Sequence, residues 1–68
     1  MRVRLKKPAT SDWYPPLTHP AGTEATIVEN LSGGEAYIVE IRIPDESLVG
    51  GARYDTATVG KDDVEPVR

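Results

Sequence analysis

The sequence predicts an all-β fold built from five short strands, with residues 1–68 forming one domain. Apolar and polar residues alternate in several short segments, which is the period of a half-buried strand. Six Pro and six Gly residues are spread along the 68 residues and divide the chain into pieces that suit strands better than helices. Hydrophobic residues make up 38% of the chain and include no Phe, so we expect one thin core and no deep buried cavity.

Five segments carry the strand pattern. The clearest covers residues 36–43, where Tyr37, Val39 and Ile41 share one face and β-branched residues are frequent. The first segment alternates apolar residues with Arg and Lys until Pro8 ends it. The predicted strands are residues 1–7, 23–31, 36–43, 52–59 and 64–67.

The connections between these strands differ in length. Residues 8–22 form a long loop for so small a domain, and such loops are often functional. We predict a single 3₁₀ turn near Ser11–Tyr14 within this loop, stopped by the Pro pair that follows. A hairpin turn is predicted at residues 32–34, because Gly accepts a positive φ without steric cost. A second 3₁₀ turn is predicted at residues 61–63.

The order of these elements is that of small SH3-like barrels: five strands, a long first loop and a 3₁₀ turn before the last strand. A barrel also removes the exposed strand edges that a small open sheet would leave. An open five-stranded meander and an OB-like barrel are the alternatives, although the OB-like barrel needs more residues and usually a helix between its third and fourth strands. The sequence therefore predicts a five-stranded SH3-like β-barrel.

Four segments also carry a resemblance to known proteins. They are residues 22–29 (GTEATIVE), residues 33–34 (GG), residues 36–41 (AYIVEI) and residues 59–67 (VGKDDVEPV). Together they are similar to a family of small bacterial SH3-like barrel proteins of unknown function, the DUF4926 type. Less specifically, they resemble the KOW-type segments of ribosomal and transcription-associated barrels, which carry a second Gly where this chain has Ala25. The resemblance implies the barrel fold and transfers no catalytic residue.

Composition excludes several classes of function and indicates a cellular location. The chain has no Cys, which excludes disulfides, zinc ribbons, iron–sulfur ligation and thiol catalysis. A small secreted domain usually relies on disulfides, so we expect a cytoplasmic protein. The N-terminal residues 1–7 lack the apolar region of a signal peptide, and no apolar run approaches the ~20 residues of a membrane helix. We therefore expect a soluble protein without a membrane partner, and the resemblance implies a bacterial one.

The sequence offers no constellation typical of an enzyme. His19, the one His, has no base partner or metal-ligand spacing beside it, and we predict a surface or loop-packing residue. Asp62, Asp63 and Glu65 are the densest acidic cluster, which we interpret as a capped 3₁₀ turn rather than a cation site. If the protein were an enzyme, the form that the sequence least opposes would be a metal-dependent hydrolase that uses Asp62 and Asp63. We expect no catalytic residue, no cofactor and no metal.

The long loop contains an aromatic and proline-rich stretch with two interpretations. Trp13, Tyr14 and Pro16 are candidates for a surface that binds a protein partner or a second copy of the chain. Tyr37 and Tyr54 are predicted to lie near that surface. The other interpretation is that Trp13 folds back and closes one end of the barrel, because the core lacks Phe.

The first strand carries a basic stripe that also has two interpretations. Arg2, Arg4, Lys6 and Lys7 are four of the eight cations of a chain whose net charge is −3. A basic stripe can follow a phosphate backbone, so a KOW-like nucleic-acid- or ribosome-associated barrel is the alternative function. A solvated strand face paired with neighbouring acids is the other interpretation, favoured by the net charge. The candidate acids are Glu24, Glu29 and Glu65.

Overall fold

A computed structural model describes residues 1–67 of the protein. All of its regular elements are strands or short 3₁₀ turns, so the all-β prediction is confirmed. The strands are β1 (Arg2–Leu5), β2 (Ala9–Thr10), β3 (Thr18–His19), β4 (Glu24–Leu31), β5 (Ala36–Pro44), β6 (Ala52–Gly60) and β7 (Val64–Pro66).

Five of these strands form one antiparallel sheet in the order β6-β5-β4-β1-β7. The first strand lies between β4 and the last strand, so that Val3 is opposite both Ala25 and Pro66. The longest pairing joins β5 and β6, and it runs from Ala36 opposite Gly60 to Pro44 opposite Ala52. The sheet therefore places the first and last strands, β1 and β7, next to each other at one side and the long β5–β6 hairpin at the other.

Strand β4 contains a β-bulge that the sequence pattern did not predict. Ile27 is opposite Val39, whereas Glu29 is opposite Ile38, so Val28 is an extra residue without a partner on β5. Val28 is exposed.

The long loop at residues 8–22 contains the small two-stranded ribbon of β2 and β3. The predicted 3₁₀ turn at Ser11–Tyr14 is wrong. The backbone of Ser11 is instead extended: its amide donates to the Leu17 carbonyl at 2.8 Å, and Ser11 forms a β-bridge with Ala57 of β6. These longer-range backbone bonds take the place of the local bonds that a 3₁₀ turn would make.

The core is a single cluster of small and medium-sized side chains. Leu5 and Val39 are its largest fully buried members, and Ile27 and Tyr37 pack against its margin. The alternation predicted for the strands places these residues on the inner face. The buried apolar residues are Val3, Leu5, Ala9, Ala25, Val39, Ile41, Ala57 and Val59.

Two three-residue 3₁₀ turns are the helical segments of the described residues. The turn at Lys61–Asp63 confirms the prediction, and the Gly60 amide donates to Asp63 Oδ2 at 3.3 Å to cap it. The turn at Ser32–Gly34 joins β4 and β5, with Gly33 at a φ of 67° and Gly34 at 97°. Within residues 1–67, no helix has the length and apolar character to cross a membrane.

Candidate partner-binding groove

An open groove lies between the long loop and the start of β6. Its volume is about 480 Å³. One wall comes from the loop and the other from the outer ends of β5 and β6. The groove is lined by Ser11, Trp13, Tyr14, Pro15, Leu17, Ile43, Arg53, Tyr54 and Asp55.

The loop wall is held against β6 by hydrogen bonds from two consecutive residues. The Asp12 amide donates to the Thr56 carbonyl at 2.9 Å, and the Thr58 amide donates to Asp12 Oδ1 at 3.1 Å. Trp13 Nε1 then donates to Thr56 Oγ1 at 2.7 Å. These bonds join Asp12 and Trp13 to alternate residues of β6 and so fix this part of the wall against the strand.

Below this wall, three polar side chains form a buried network around Asp55. Asp55 is 8% exposed and His19 is 7% exposed. Ser11 Oγ donates to Asp55 Oδ2, and His19 Nε2 lies 2.5 Å from the same oxygen. The Leu17 amide donates to Ser11 Oγ at 3.0 Å. The network therefore ties β3 and the loop to β6.

The pKa of Asp55 is lowered from its ordinary value. Burial acts to raise this pKa, but the hydrogen bonds from Ser11, from His19 and from the Thr56 backbone together outweigh it. Asp55 is thus ionised near neutral pH and accepts hydrogen bonds without donating any. His19 Nε2 must then carry a hydrogen and donate a hydrogen bond to the Asp55 carboxylate.

This network differs from a catalytic serine arrangement. In that arrangement the imidazole contacts the serine hydroxyl and the carboxylate contacts the other ring nitrogen. Here Ser11 and His19 both contact one oxygen of Asp55, which lies between them. The geometry orients the Ser11 and His19 side chains and satisfies a buried charge. The loop-packing prediction for His19 is confirmed, and its partner Asp55 was missed.

Trp13 does not fold back into the core. Its side chain is 68% exposed and that of Tyr14 is 94% exposed, so the plug interpretation is wrong. The hydrogen bond from the Trp13 indole to Thr56 holds the ring on the outer surface of β6. The interior is filled by aliphatic side chains without it.

The structure brings together three of the five residues proposed for partner binding. Tyr54 lines the groove with Trp13 and Tyr14. Tyr37 instead packs against the core and lines a second depression of about 200 Å³, and Pro16 lines neither. Tyr37 and Pro16 therefore lie outside the groove.

Sequence reasoning missed several groove residues. Ile43 and Arg53 reach the groove because they are opposite each other in the β5–β6 pairing. Leu17 and Pro15 complete the loop wall. To predict that Ile43 and Arg53 line one groove, the pairing register of β5 and β6 would have been needed. The alternation within each strand does not reveal that register.

Three of the four cations of the first segment form ion pairs with acids. The pairs with Glu24 and Glu65 confirm the strand-face interpretation, whereas Glu29 takes no part. Lys6 forms no ion pair within the described residues. The pairs are Arg2 Nη2 with Glu24 Oε1 at 2.6 Å, Arg4 Nη1 with Glu65 Oε1 at 3.4 Å, and Lys7 Nζ with Asp63 Oδ1 at 3.2 Å.

Two members of the acidic cluster at the second 3₁₀ turn, Asp63 and Glu65, make structural contacts. Asp63 accepts from the Gly60 amide and pairs with Lys7, which confirms the capped-turn interpretation. No group of three or more His, Asp or Glu side chains within residues 1–67 is placed to hold a metal ion.

Comparisons of the chain with protein-family models, with curated proteins and with solved structures found no match. The groove and its surroundings are therefore the basis on which a function is inferred.

Proposed function

We propose that this protein is a non-enzymatic interaction module whose groove binds a segment of a protein. One observation carries the proposal: Trp13, Tyr14 and Tyr54 line a single groove while remaining exposed to water. Exposed aromatic side chains are costly to solubility and are enriched where proteins anchor a partner. Because the Trp13 indole is hydrogen-bonded to Thr56 and the Asp12 carboxylate to the Thr58 amide, the Trp13 ring is held in place before a partner arrives, which reduces the entropic cost of binding.

We further propose that the module is a small SH3-like barrel of the kind found in the bacterial family that the sequence resembles. The strand order β6-β5-β4-β1-β7 and the 3₁₀ turn before the last strand support this. The β-bridge between Ser11 and Ala57 supports closure, because it brings the β2–β3 ribbon against the outer strand β6. A cytoplasmic location remains part of the proposal and rests on the absence of Cys.

Binding would combine ring contacts with backbone pairing. The outer edge of β6 is bonded to the loop at Thr56 and Ala57. Residues 52–54 have no strand partner on that edge within residues 1–67. An extended segment lying in the groove can therefore pair with this edge while its side chains contact the aromatic rings.

The non-enzymatic part of the proposal rests on the buried polar network. Ser11 and His19 are the side chains closest to a nucleophile and a base, and both are occupied by hydrogen bonds to Asp55. No observation favours the nucleic-acid alternative, because Arg2, Arg4 and Lys7 are already paired with carboxylates. That alternative stays a prediction of the sequence.

The test compares the protein with a groove variant, Tyr14→Ser/Tyr54→Thr, and with a control, Val28→Ser. All three altered side chains are exposed, and Val28 lies outside the groove, so the folds should be alike by circular dichroism and thermal melting. Peptides are selected on the wild-type protein from a displayed random library, and their affinities are measured by fluorescence anisotropy at several salt concentrations.

We expect the selected peptides to bind the groove variant at least ~10-fold more weakly than the wild type, since hot-spot aromatic residues commonly contribute this much. The control should bind within about twofold of the wild type, as residues outside an interface change affinity little. Equal affinity for the wild type and a folded groove variant would overturn the proposal. Binding of single-stranded RNA that falls steeply with salt would favour the basic first strand instead.

A further inference from the structure

We infer that the occupant of the groove is the tip of the β5–β6 hairpin of a second copy of this chain, with each copy inserting its tip into the groove of the other. The tip comprises residues 45–51, with Leu48 and Val49 at its end. This inference rests on the proposed function, because it names the occupant of the same groove.

The tip is an ordered apolar projection. The Asp45 carboxylate accepts from the Ser47 amide at 3.0 Å and from Ser47 Oγ at 2.6 Å. The Asp45 amide donates to the Gly51 carbonyl, and the Gly51 amide donates to the Leu48 carbonyl, both at 2.9 Å. Val49 is nevertheless completely exposed and Leu48 is also exposed. A turn that is held by its own hydrogen bonds and presents two aliphatic side chains to water loses little entropy on docking.

The groove and the tip are neighbours on the same hairpin. Ile43 and Arg53 line the groove and are paired with each other, and Pro44 opposite Ala52 is the last pair before the tip. A two-fold axis beside this end of the molecule therefore places both tips over both grooves at once. Because each copy uses the same two surfaces to bind the other, the symmetry is closed, and the product is a dimer rather than an open chain of molecules.

The charges at the two surfaces are complementary. Arg53 is the one cation that lines the groove, and Glu46 is an exposed acid of the tip. Neither forms an ion pair within residues 1–67. In the reciprocal dimer Arg53 of one copy lies near Glu46 of the other, and this pairing opposes the general repulsion of two chains that each carry a net charge of −3.

The apolar area is sufficient for a weak dimer. An aromatic side chain buries about 150–250 Å² when covered, so two grooves and two tips together bury on the order of 1,000 Å². This area is near the lower limit for specific interfaces and corresponds to a transient association. The exposed apolar residues at this end of the molecule are Trp13, Tyr14, Leu17, Leu48, Val49 and Tyr54.

The oligomeric state tests the inference. Sedimentation equilibrium is measured up to millimolar concentration for the wild type, the groove variant, a tip variant (Leu48→Ser/Val49→Ser) and the Val28→Ser control. The tip variant keeps the backbone hydrogen bonds of the turn and its polar residue Ser47. We expect a monomer–dimer equilibrium for the wild type and the control, and a dissociation constant at least ~10-fold higher for each variant.

A complementation experiment tests reciprocity. The tip variant has an intact groove, and the groove variant has an intact tip. A mixed dimer of these variants therefore keeps one of the two tip-in-groove contacts. With ¹⁵N-labelled tip variant and unlabelled groove variant, we expect NMR shifts at the amides of residues 11–14, of Leu17 and of residues 53–55. With the labels exchanged, the shifts should move to residues 45–51. An absence of shifts in both mixtures would overturn the inference.

Three other outcomes would overturn the inference. A wild type that stays monomeric overturns the inference, and peptide binding to the groove then decides the proposed function separately. Dimerisation that is lost in the groove variant but kept in the tip variant overturns the inference and leaves the groove as a binding site for another segment. Dimerisation that both variants keep overturns it by placing the interface on another face.

Discussion

His19 and Asp55 are separated by 36 positions in the chain, yet His19 Nε2 lies 2.5 Å from Asp55 Oδ2. The contact joins β3 of the long loop to β6 at the edge of the sheet. Both side chains are buried, and an ion or polar group in such a place is stable only when its hydrogen bonds are satisfied. The pair therefore fixes the loop that carries Trp13 and Tyr14, and its energetics should be measurable.

The first prediction concerns Asp55 and pH. Because the pKa of Asp55 is lowered in the folded protein, its ionised form stabilises the fold above the ordinary carboxyl pKa of about 4. This contribution is lost as the pH falls through the folded-state pKa. We expect Asp55→Asn to reduce the free energy of unfolding by about 1–3 kcal/mol at pH 7, since it weakens buried charge-assisted hydrogen bonds. Urea unfolding from pH 7 to pH 2 measures both effects.

The control for this prediction is Asp62→Asn, because the Asp62 side chain makes no hydrogen bond or ion pair within residues 1–67. The wild type and the control should lose stability together on acidification, whereas Asp55→Asn should show a shallower dependence below pH 4. Parallel curves for all three proteins would contradict the assignment.

The second prediction concerns the donor to Asp55. His19→Ala removes a hydrogen bond from a buried carboxylate and leaves space in the structure, so we expect a loss of about 2–4 kcal/mol. His19→Gln retains a side-chain donor and should lose less. Urea midpoints should therefore fall in the order wild type, His19→Gln, His19→Ala. If His19→Ala is as stable as the wild type, the His19–Asp55 contact has no structural role.

The third prediction uses Trp13, the one Trp of the chain, as a reporter of the loop wall. Thr56→Val removes the acceptor of the Trp13 indole hydrogen bond while keeping the shape of the side chain. We expect little change in stability, about 0.5–1.5 kcal/mol, but faster motion of the indole in time-resolved fluorescence anisotropy. Thr26→Val, which changes a Thr that is exposed on β4, is the control and should leave the anisotropy decay unchanged.

The fourth prediction concerns the exposed ion pair of Arg2 and Glu24. Both side chains are largely in water, so the attraction across their 2.6 Å contact is screened by solvent. A double-mutant cycle with Arg2→Ala and Glu24→Ala should give a coupling energy of about 0.2–1 kcal/mol that decreases when salt is added. A coupling above this range that persists at high salt would show that the strand face is less solvated than the structure indicates.

Much of the fold was predictable because strand formation in this chain follows local patterns. The alternation in residues 36–43 and 52–59 places Val39, Ile41 and Ala57 on the inner face, and the structure buries all three. The 3₁₀ turn at residues 61–63 was likewise predictable from its short polar sequence before a final strand. The bulge at Val28 was missed, because an unpaired residue is defined by the opposite strand and not by its own sequence.

The candidate site was predictable only in part. The sequence by itself determined that the chain is all-β and that its long loop contains Trp13 and Tyr14, but it left open whether Trp13 is buried or exposed. The tertiary structure alone decided that Tyr54 joins Trp13 and Tyr14 in a groove, that Tyr37 does not, and that His19 is bonded to Asp55. The physical reason is that alternation and turn chemistry act within a few residues, whereas strand register and long-range hydrogen bonds decide which distant side chains meet.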